Sequence, residues 1–174
     1  EHGLLKVTNN LSDIYFQGDN DNPECVVCLQ PCVYPVELPC GHIFCFLCVK
    51  GYAHQNKKCA ICRQDIPQDF MKKPNLLWQP LQQTAQGLGE GYHWFYEGRN
   101  GWWKYDERTN EDIEQAYKLD LKNFEILICG ELYIIDFENK YQYPKKIPNR
   151  RRSIIRQNKI NNIIVKGVAG LRHL

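Results

Sequence analysis

A cysteine-rich segment early in the chain carries the side chains with the clearest chemical potential. Of the nine cysteines among the 174 residues, eight lie between Cys25 and Cys62, and the ninth is Cys129. A small secreted protein could use such a cluster as a disulfide framework. His42 lies inside the cluster, however, and no positively charged start is followed by an apolar core. We therefore expect reduced thiols that bind zinc.

The spacing of the ligand candidates predicts two zinc ions. Successive candidates are separated by two, eleven, one, two, two, ten and two residues, and each two-residue gap lets both side chains reach one tetrahedral ion. Each ion contributes on the order of 10 kcal/mol to the folding of a segment with little core of its own. Cys32 could replace Cys28 only by breaking the pair spacing, so we interpret it as a non-ligand thiol. The candidates are Cys25, Cys28, Cys40, His42, Cys45, Cys48, Cys59 and Cys62.

Charge is distributed unevenly along the chain, although the net charge is only +2. From Asn139 onward there are ten basic residues and no acidic ones, whereas the first 138 residues carry 12 basic and 20 acidic side chains. This asymmetry predicts a local anion-binding site, with no specific DNA or RNA partner. No apolar run approaches the roughly 18 residues of a membrane span, so we expect no membrane partner.

Composition divides the chain into five segments. Residues 1–22 are polar and are predicted to be a flexible leader, and residues 23–67 hold the ligand cluster. Residues 68–82 contain Leu76, Leu77 and Trp78, which are too apolar for a free linker, so we expect this segment to pack against a neighbour. Residues 83–168 are predicted to form a second domain, and residues 169–174 a tail.

The second domain has the pattern of a hairpin followed by a helix. Aromatic-rich stretches at residues 92–96 and 102–105 flank a turn sequence at 98–101, which is typical of a β-hairpin. Thr109, with Asp112 three residues later, is predicted to cap a helix. The predicted apolar face of that helix comprises Ile113, Ala116, Tyr117 and Leu121.

Further strands complete the predicted fold. They are expected at residues 124–129, 132–137 and 141–143, with edge strands at 154–155 and 163–165. The fold class is therefore α+β, a small zinc-bound domain followed by a curved sheet with one helix. Trp94 and Trp102 are predicted to be core residues, and Cys129 to lie buried in an apolar strand.

The position of the histidine identifies the family that the cysteine-rich segment resembles. His42 is the fourth of eight ligands, as in a RING finger; a PHD finger would have it fifth, and LIM domains space their pairs differently. The resemblance covers residues 23–67 and implies a cross-brace of two structural zinc ions. One ion would be bound by Cys25, Cys28, Cys45 and Cys48, and the other by Cys40, His42, Cys59 and Cys62.

RING-type ubiquitin ligases hold a ubiquitin-conjugating enzyme, and several residues match the positions they use. Val27 precedes the second cysteine, where the family has an apolar contact, and Pro39 precedes the third. Arg63 follows the last ligand and resembles the linchpin cation that bridges the conjugating enzyme and ubiquitin. His54 stands where the family usually has Trp, and Ala60 where it has Pro. Both lie on the expected docking face, so the choice of conjugating enzyme stays open.

The aromatic second domain resembles a WWE domain, named for two tryptophans and a glutamate. Here these are Trp94, Trp102 or Trp103, and Glu114, and the resemblance runs over residues 83–167. A RING finger followed by a WWE domain resembles poly(ADP-ribose)-dependent ubiquitin ligases. Without this resemblance, Glu114 is interpreted as a helix-surface or sheet-bracing residue, and the arginines at 150–152 as a solvated run or nuclear-import patch.

The resemblance implies iso-ADP-ribose, the internal unit of poly(ADP-ribose), as the ligand. This molecule needs an aromatic wall for its adenine, amide or backbone contacts for the base edge, and cations at two separated phosphates. Tyr133 and Gln142 match positions at the adenine end, and Trp103 matches a pocket-lining position. Lys50, beside the Cys48 ligand, could approach the polymer if the domains pack together. The phosphate-binding candidates are Tyr96, Arg99, Arg152 and Lys166.

We therefore expect a RING-type ubiquitin ligase that selects poly(ADP-ribosyl)ated proteins and marks them for degradation. The chain would form no covalent intermediate with ubiquitin, because its metal-ligand thiolates are committed to zinc. The resemblance further implies a tankyrase-type polymerase as a partner and a role in Wnt signalling. The reduced thiols indicate the cytosol and nucleus as locations. Two alternatives remain open: a non-catalytic poly(ADP-ribose) reader whose RING finger serves assembly, and a nucleic-acid binder that uses the basic tail.

Overall fold

The computed structural model describes residues 23–77, 91–158 and 163–172. The predicted leader at residues 1–22, Trp78 and the predicted boundary at residue 83 lie outside the described residues. The described chain forms a cysteine-rich region (residues 23–77) and a sheet region (residues 91–172). Within the described ranges, neither helix is long and apolar enough to cross a membrane.

Two short hairpins and one helix make up the cysteine-rich region. β1 (Glu24–Cys25) pairs with β2 (Gln30–Pro31), β3 (Pro35–Glu37) pairs with β4 (Ile43–Cys45), and α1 (Phe46–Asn56) follows directly. Strands of two or three residues form too few ladder hydrogen bonds to be stable alone. Their positions must therefore be maintained by side-chain packing and by metal.

A small apolar core lies between these elements. Val36, Phe44, Phe46 and Val49 are each 3% exposed or less. Leu76 packs against this core and forms an isolated antiparallel bridge with Val36. The apolar segment after the ligand cluster therefore packs against the cysteine-rich region, in line with the expectation that it contacts a neighbour.

The sheet region is built on one eight-stranded sheet with the strand order β12-β11-β6-β5-β10-β9-β8-β7. Neighbouring strands are antiparallel except β11 and β6, which are parallel. The elements are β5 (His93–Gly98), β6 (Gly101–Lys104), α2 (Glu107–Lys118), β7 (Asn123–Ile128), β8 (Glu131–Asp136), β9 (Tyr141–Pro144), β10 (Arg152–Gln157), β11 (Val165–Val168) and β12 (Leu171–Arg172).

The predicted strands exist, but the two predicted edge strands are not edges. β10, which contains Ile154 and Ile155, lies between β5 and β9 in the middle of the sheet. β11 lies between β6 and β12. Apolar runs of two or three residues cannot reveal strand order, because order depends on pairing between distant segments. The edge prediction was therefore wrong.

Helix α2 begins three residues earlier than predicted. Asp106 is the N-cap, and its Oδ1 accepts a hydrogen bond of 3.1 Å from the backbone N–H of Thr109. Thr109 therefore occupies the third helical position, not the cap. Aspartate and threonine are both favoured around helix starts, and only the extended backbone of Asp106 distinguishes the actual cap.

One half of the predicted apolar face of α2 is correct. Ile113 and Ala116 are buried against the sheet, whereas Tyr117 and Leu121 are more than 40% exposed. Leu121 lies beyond the helix end at Lys118. Tyr117 still packs edge-on against Trp94, with ring centroids 5.2 Å apart.

Two further core predictions have different outcomes. Trp94 is 4% exposed and belongs to the core cluster, as predicted. Trp102 is only half-buried and is not part of that cluster. Cys129 does not lie in a strand: it follows β7 in a turn, with a left-handed φ of 51°. Its carbonyl faces α1 of the cysteine-rich region.

Candidate functional site

The structure brings the first four predicted zinc ligands together. The sulfur atoms of Cys25, Cys28, Cys45 and Cys48 all lie within 4.8 Å of one another, and Cys28 Sγ and Cys45 Sγ are 3.8 Å apart. Four sulfurs around a tetrahedral zinc at about 2.3 Å are about 3.8 Å apart, so this group fits the ion. The backbone N–H of Val33 donates to Cys45 Sγ at 3.3 Å, which orients one ligand from outside the group.

A second group contains Cys40, His42, Cys59 and Cys62. His42 Nδ1 lies 3.4 Å from Cys40 Sγ and 3.7 Å from Cys59 Sγ, close to the roughly 3.6 Å expected around a tetrahedral zinc. The two groups alternate along the chain, which is the cross-brace arrangement. Together they are suited to binding two zinc ions, in agreement with the predicted cofactors.

Cys32 lies outside both groups. It is 2% exposed within the core of the cysteine-rich region. Burial raises the pKa of its thiol above the usual range, which keeps it protonated. This geometry agrees with the interpretation of Cys32 as a non-ligand thiol.

The predicted conjugating-enzyme contacts all lie on the surface. Val27 is 42% exposed, and Pro39 and His54 are also exposed. The structure adds two apolar residues that sequence reasoning missed: Leu29, 72% exposed, and Ile61, 47% exposed. Each is an apolar residue placed next to or between zinc ligands, and this placement was the available signal.

Arg63 directly follows Cys62 of the second ligand group and has a left-handed backbone conformation. Its φ is +64°, and its backbone N–H donates to the carbonyl of Cys59 at 3.1 Å. The Nη1 of its exposed side chain donates to the Tyr52 hydroxyl at 3.1 Å. This is the one side-chain hydrogen bond of Arg63 within residues 23–77, 91–158 and 163–172, and a guanidinium has five N–H donors.

Strand register places predicted ligand-binding residues on a single face of the sheet. Tyr96 lies directly opposite Trp103 on β6 and directly opposite Ile154 on β10. Arg152 is two residues from Ile154, so its side chain is on the same face. Three separate strands thus contribute to one surface.

The same face continues across the next two strands. Arg152 lies opposite Gln142 on β9, and Gln142 lies opposite Ile135 on β8. Tyr133 is two residues from Ile135 and therefore shares this face. Part of the face is covered by α2 through Ile113, and the remainder forms the candidate ligand-binding surface.

A buried hydrogen bond holds Gln142 in place. Gln142 is 4% exposed, and its Oε1 accepts a bond of 2.6 Å from the hydroxyl of Tyr105, which is itself 2% exposed. The Tyr105 ring also packs on Tyr96, with centroids 4.9 Å apart. Burial raises the pKa of the Tyr105 hydroxyl well above its usual range, so it remains a donor. Sequence reasoning missed Tyr105, whose two-residue spacing from Trp103 was the only signal.

Cations lie at two places on this surface, Lys166 on β11 at one end and Arg152 on β10 between Tyr96 and Gln142. The Arg152 guanidinium is 5.9 Å from the centre of the Tyr96 ring, and Lys166 Nζ is 5.1 Å from the Trp103 ring. Lys166 Nζ also donates to the backbone carbonyl of Arg99 at 2.6 Å, which brings the hairpin turn to β11. The arrangement can stack a planar ring, hydrogen-bond its edge and bind two separated anions.

Glu114 braces α2 against the sheet. Its carboxylate accepts bonds of 2.8 and 2.6 Å from Arg156 and one of 3.0 Å from Trp94 Nε1. These bonds, led by Arg156, lower the pKa of Glu114. The sheet-bracing interpretation of Glu114 is therefore the correct one of the two.

The two regions are in direct contact. Gly51 of α1 packs so closely on the turn after β7 that an added Cβ would overlap the carbonyl of Cys129. Lys50 Nζ donates to the carbonyl of Ala169 at 3.4 Å. Burial raises the pKa of the Cys129 thiol, and the positive charge of Lys50 offsets part of this rise. Lys50 therefore lies at the boundary between the regions, on the side of the sheet region that contains the turn before β8.

A family comparison agrees with both regions. The profile of the C3HC4-type zinc finger (RING finger) family matches residues 21–68, and that of the WWE domain family matches residues 92–156. The chain contains a RING finger followed by a WWE domain. The cysteine-rich region is thus the RING finger, and the sheet region contains the WWE domain, as the sequence predicted.

Similar proteins share this combination. The chain is 55% identical to human E3 ubiquitin-protein ligase RNF146 over 151 residues, covering 86% of this chain and 41% of the relative. It is 54% identical to RNF146-A of Bos taurus over 150 residues and to rnf146 of Xenopus tropicalis over 151, covering 86% of this chain and 42% and 47% of those relatives. The chain thus spans less than half the length of these relatives.

Proposed function

We propose that this chain is a RING-type ubiquitin ligase that selects substrates carrying poly(ADP-ribose). The RING finger recruits a ubiquitin-conjugating enzyme charged with ubiquitin, and the WWE domain captures iso-ADP-ribose units of the polymer. Substrate lysines are thereby brought close to the thioester, where proximity accelerates transfer. The modified substrates are marked for degradation.

The open sheet face of the WWE domain is the observation that supports iso-ADP-ribose as the ligand. It combines an aromatic wall at Tyr96 and Trp103, a buried amide at Gln142, and separated cations at Arg152 and Lys166. An adenine and two phosphates need the same types of group. Tyr133 adds a second aromatic ring at the Gln142 end.

The proposed catalytic role of this chain is positioning without covalent chemistry. Val27, Pro39 and His54, with Ile61, provide an exposed contact surface for the conjugating enzyme. Arg63 presents its guanidinium from the same region, where a planar fork of donors can bridge two proteins. The nucleophilic thiol belongs to the conjugating enzyme.

Calorimetric titration tests the proposed ligand. Iso-ADP-ribose is expected to bind tightly and plain ADP-ribose weakly, and Arg152→Ala should abolish the tight binding. Arg151→Ala is the matched control, because Arg151 stacks on Tyr141 and Tyr143, on the opposite face of β9 from Gln142. Equal binding of the two ligands would rule out the internal unit as the recognised species.

A ubiquitin-transfer assay tests the proposed activity. Arg63→Ala should abolish discharge of the charged conjugating enzyme while leaving iso-ADP-ribose binding unchanged. Lys58→Ala is a control, since it removes a nearby cation whose only ion pair among the described residues is an exposed one with Asp65. If Arg63→Ala transferred ubiquitin normally, the alternative of a non-catalytic poly(ADP-ribose) reader would be favoured.

The nucleic-acid alternative predicts a different signature. Binding of plain duplex DNA with a steep salt dependence, unaffected by Arg152→Ala, would support it. We favour the polymer because Arg152 and Lys166 lie beside aromatic rings in one surface rather than along a uniform basic stripe.

Further parts of the proposal concern the cellular setting and the contact between the domains. The proposed locations are the cytosol and the nucleus. The proposed cellular role is in Wnt signalling, with a tankyrase-type polymerase as a partner.

Lys50 lies at the domain boundary, and we propose that it approaches bound polymer. Saturating iso-ADP-ribose should then raise the rate of ubiquitin transfer, and Lys50→Ala should reduce that increase.

A further inference from the structure

One arginine of the WWE domain reaches the first zinc group of the RING finger. Arg108 is the second residue of α2, and its Nη1 lies 3.6 Å from Cys28 Sγ. Its Nη2 donates to the backbone carbonyl of Pro31 at 2.7 Å. One contact is therefore to the loop that connects β1 to β2, and the other is to the last residue of β2.

The chemistry of the first zinc group explains why a guanidinium suits this place. Four thiolates around one Zn²⁺ leave a formal charge of −2, whereas the second group replaces one thiolate with the neutral His42. A charged donor beside a ligand sulfur offsets part of that negative charge and orients the ligand. The planar fork of Arg108 can bond the sulfur and the carbonyl together, which an ammonium cannot do as well.

The position of Arg108 is itself well determined. Asp106 caps the helix directly before it, and the neighbouring Glu107 accepts a hydrogen bond of 3.3 Å from the Tyr34 hydroxyl of the RING finger. Two consecutive residues of α2 therefore contact the RING finger. The first turn of a WWE helix thus forms part of the surroundings of a RING zinc ligand.

The loop that Arg108 contacts carries exposed apolar residues. Val27 and Leu29 flank Cys28 and are 42% and 72% exposed, and Leu29 has a left-handed φ of 56°. These residues belong to the surface proposed above for the conjugating enzyme. Any disorder of the loop would therefore reduce the affinity of that surface for its partner.

We infer that Arg108 is a positioning residue that holds the first zinc loop in its docking conformation and slows zinc loss from the four-cysteine site. The part of this inference that concerns docking rests on the proposed ligase function. The part that concerns zinc does not.

Zinc release from the full chain tests the inference directly. With excess chelator and a chromogenic indicator, Arg108→Ala should release one of two zinc equivalents about tenfold faster and leave the other unchanged. Cobalt substitution assigns the fast equivalent, because absorption bands differ between four-sulfur and three-sulfur, one-nitrogen sites. Arg108→Lys should show an intermediate rate, since it keeps the charge and loses the fork. Lys118→Ala, which removes a cation from the same helix, should release zinc like the unmodified chain.

A conjugating-enzyme titration tests the docking part. In ubiquitin transfer, Arg108→Ala should raise the enzyme concentration at half-maximal rate several-fold while the maximal rate stays unchanged. Arg63→Ala should instead abolish transfer at every concentration of the conjugating enzyme. If Arg63→Ala transfers ubiquitin normally, the proposed ligase function fails, and the zinc-release result stays valid.

Two results would overturn the inference. Equal release rates in Arg108→Ala and the unmodified chain would show that the contact does not stabilise the site. Equally accelerated release of both zinc equivalents would indicate general destabilisation instead of a local role. If Arg108→Ala does not fold, Arg108→Lys decides between the same outcomes.

Discussion

The RING finger and the WWE domain obtain their shapes from different interactions. In the RING finger, strands of two or three residues surround a small core, and two groups of four ligand atoms connect distant parts of the chain. In the WWE domain, strands of four to six residues form most of a sheet with its own apolar core under α2. Zinc binding therefore stabilises the RING finger, whereas backbone pairing and burial of apolar side chains stabilise the WWE domain.

This difference also determines where function is encoded. The RING zinc ligands come in close pairs along the chain, so their spacing reveals them. The candidate ligand-binding residues of the WWE domain come from six separate segments, from Tyr96 to Lys166, and only strand pairing brings them together. A mutation or ligand removal in one domain should therefore change the stability or binding of that domain and leave the other unchanged.

Zinc removal should have the largest effect and should be confined to the RING finger. Each ion contributes on the order of 10 kcal/mol to folding, so chelation should unfold residues 23–77 and leave the WWE sheet intact. Amide hydrogen exchange measures both domains at once, and iso-ADP-ribose binding checks the sheet independently. Loss of protection in the WWE strands would show that the two domains fold as one unit.

Breaking the Glu114 brace should give the matching effect in the WWE domain. The side chains of Glu114 and Arg156 are 12% and 22% exposed, and Glu114→Gln should cost about 3 kcal/mol of unfolding free energy by leaving Arg156 partly unpaired. Thermal unfolding followed by Trp94 fluorescence measures this. Zinc release should not change, and Glu111→Gln, exposed on the same helix, is the control.

The same brace predicts a dependence on pH. Because Arg156 and Trp94 lower the pKa of Glu114 in the folded state, the brace stabilises fully above the usual value of 4.5. That stabilisation is lost as the pH falls through the lower folded pKa. The unfolding temperature of the WWE domain should thus decline below about pH 4.5, and the Glu114→Gln variant should lack this part of the decline.

Gly51→Ala should disturb the contact between the domains rather than either domain alone. The added Cβ would overlap the carbonyl of Cys129, and the resulting displacement outweighs the roughly 1 kcal/mol that alanine contributes through helix propensity. We expect a net loss of about 1–2 kcal/mol, with chemical-shift changes concentrated at Lys50 and Cys129. Gln55→Ala on the same helix should leave those shifts unchanged.

Tyr105→Phe should weaken the ligand site while the sheet stays folded. The buried Oε1 of Gln142 loses its 2.6 Å donor, so the amide can turn away from its binding orientation. Affinity for iso-ADP-ribose should fall about tenfold, equivalent to ~1.4 kcal/mol, by calorimetry. Tyr143→Phe, on the opposite face of β9 from Gln142, is the control. Unchanged affinity would show that the bond from Tyr105 to Gln142 does not contribute to ligand binding.

Tyr52→Phe should have the smallest effect, on the RING side. It removes the hydroxyl that accepts a 3.1 Å bond from Arg63, and an exposed hydrogen bond contributes little. Ubiquitin discharge should slow by about twofold, and the change should vanish when Arg63 is alanine. A persistent change in that background would mean that Tyr52 acts through another contact.

The zinc ligands and the WWE aromatic residues follow from the sequence alone. Ligand pairs such as Cys25 and Cys28 lie within one turn, so local spacing is enough to predict a shared ion. The alternating pattern around Trp94 predicts strands for the same reason, because side-chain direction has a period of two residues. Such features depend on chain geometry over a few residues.

Other features depend on contacts between distant segments, which only the tertiary structure decides. Three such contacts join residues 37 or more positions apart. They are the pairing of β10 with β5, the bond of Tyr105 to Gln142, and the contact of Arg108 with Cys28. Many distant pairings are compatible with the same local pattern, and the choice among them is made by burial summed over the whole sheet and the domain boundary. The candidate ligand-binding residues could therefore be proposed from a resemblance in the sequence, whereas their common face, and the contact of Arg108 with the first zinc loop, could not.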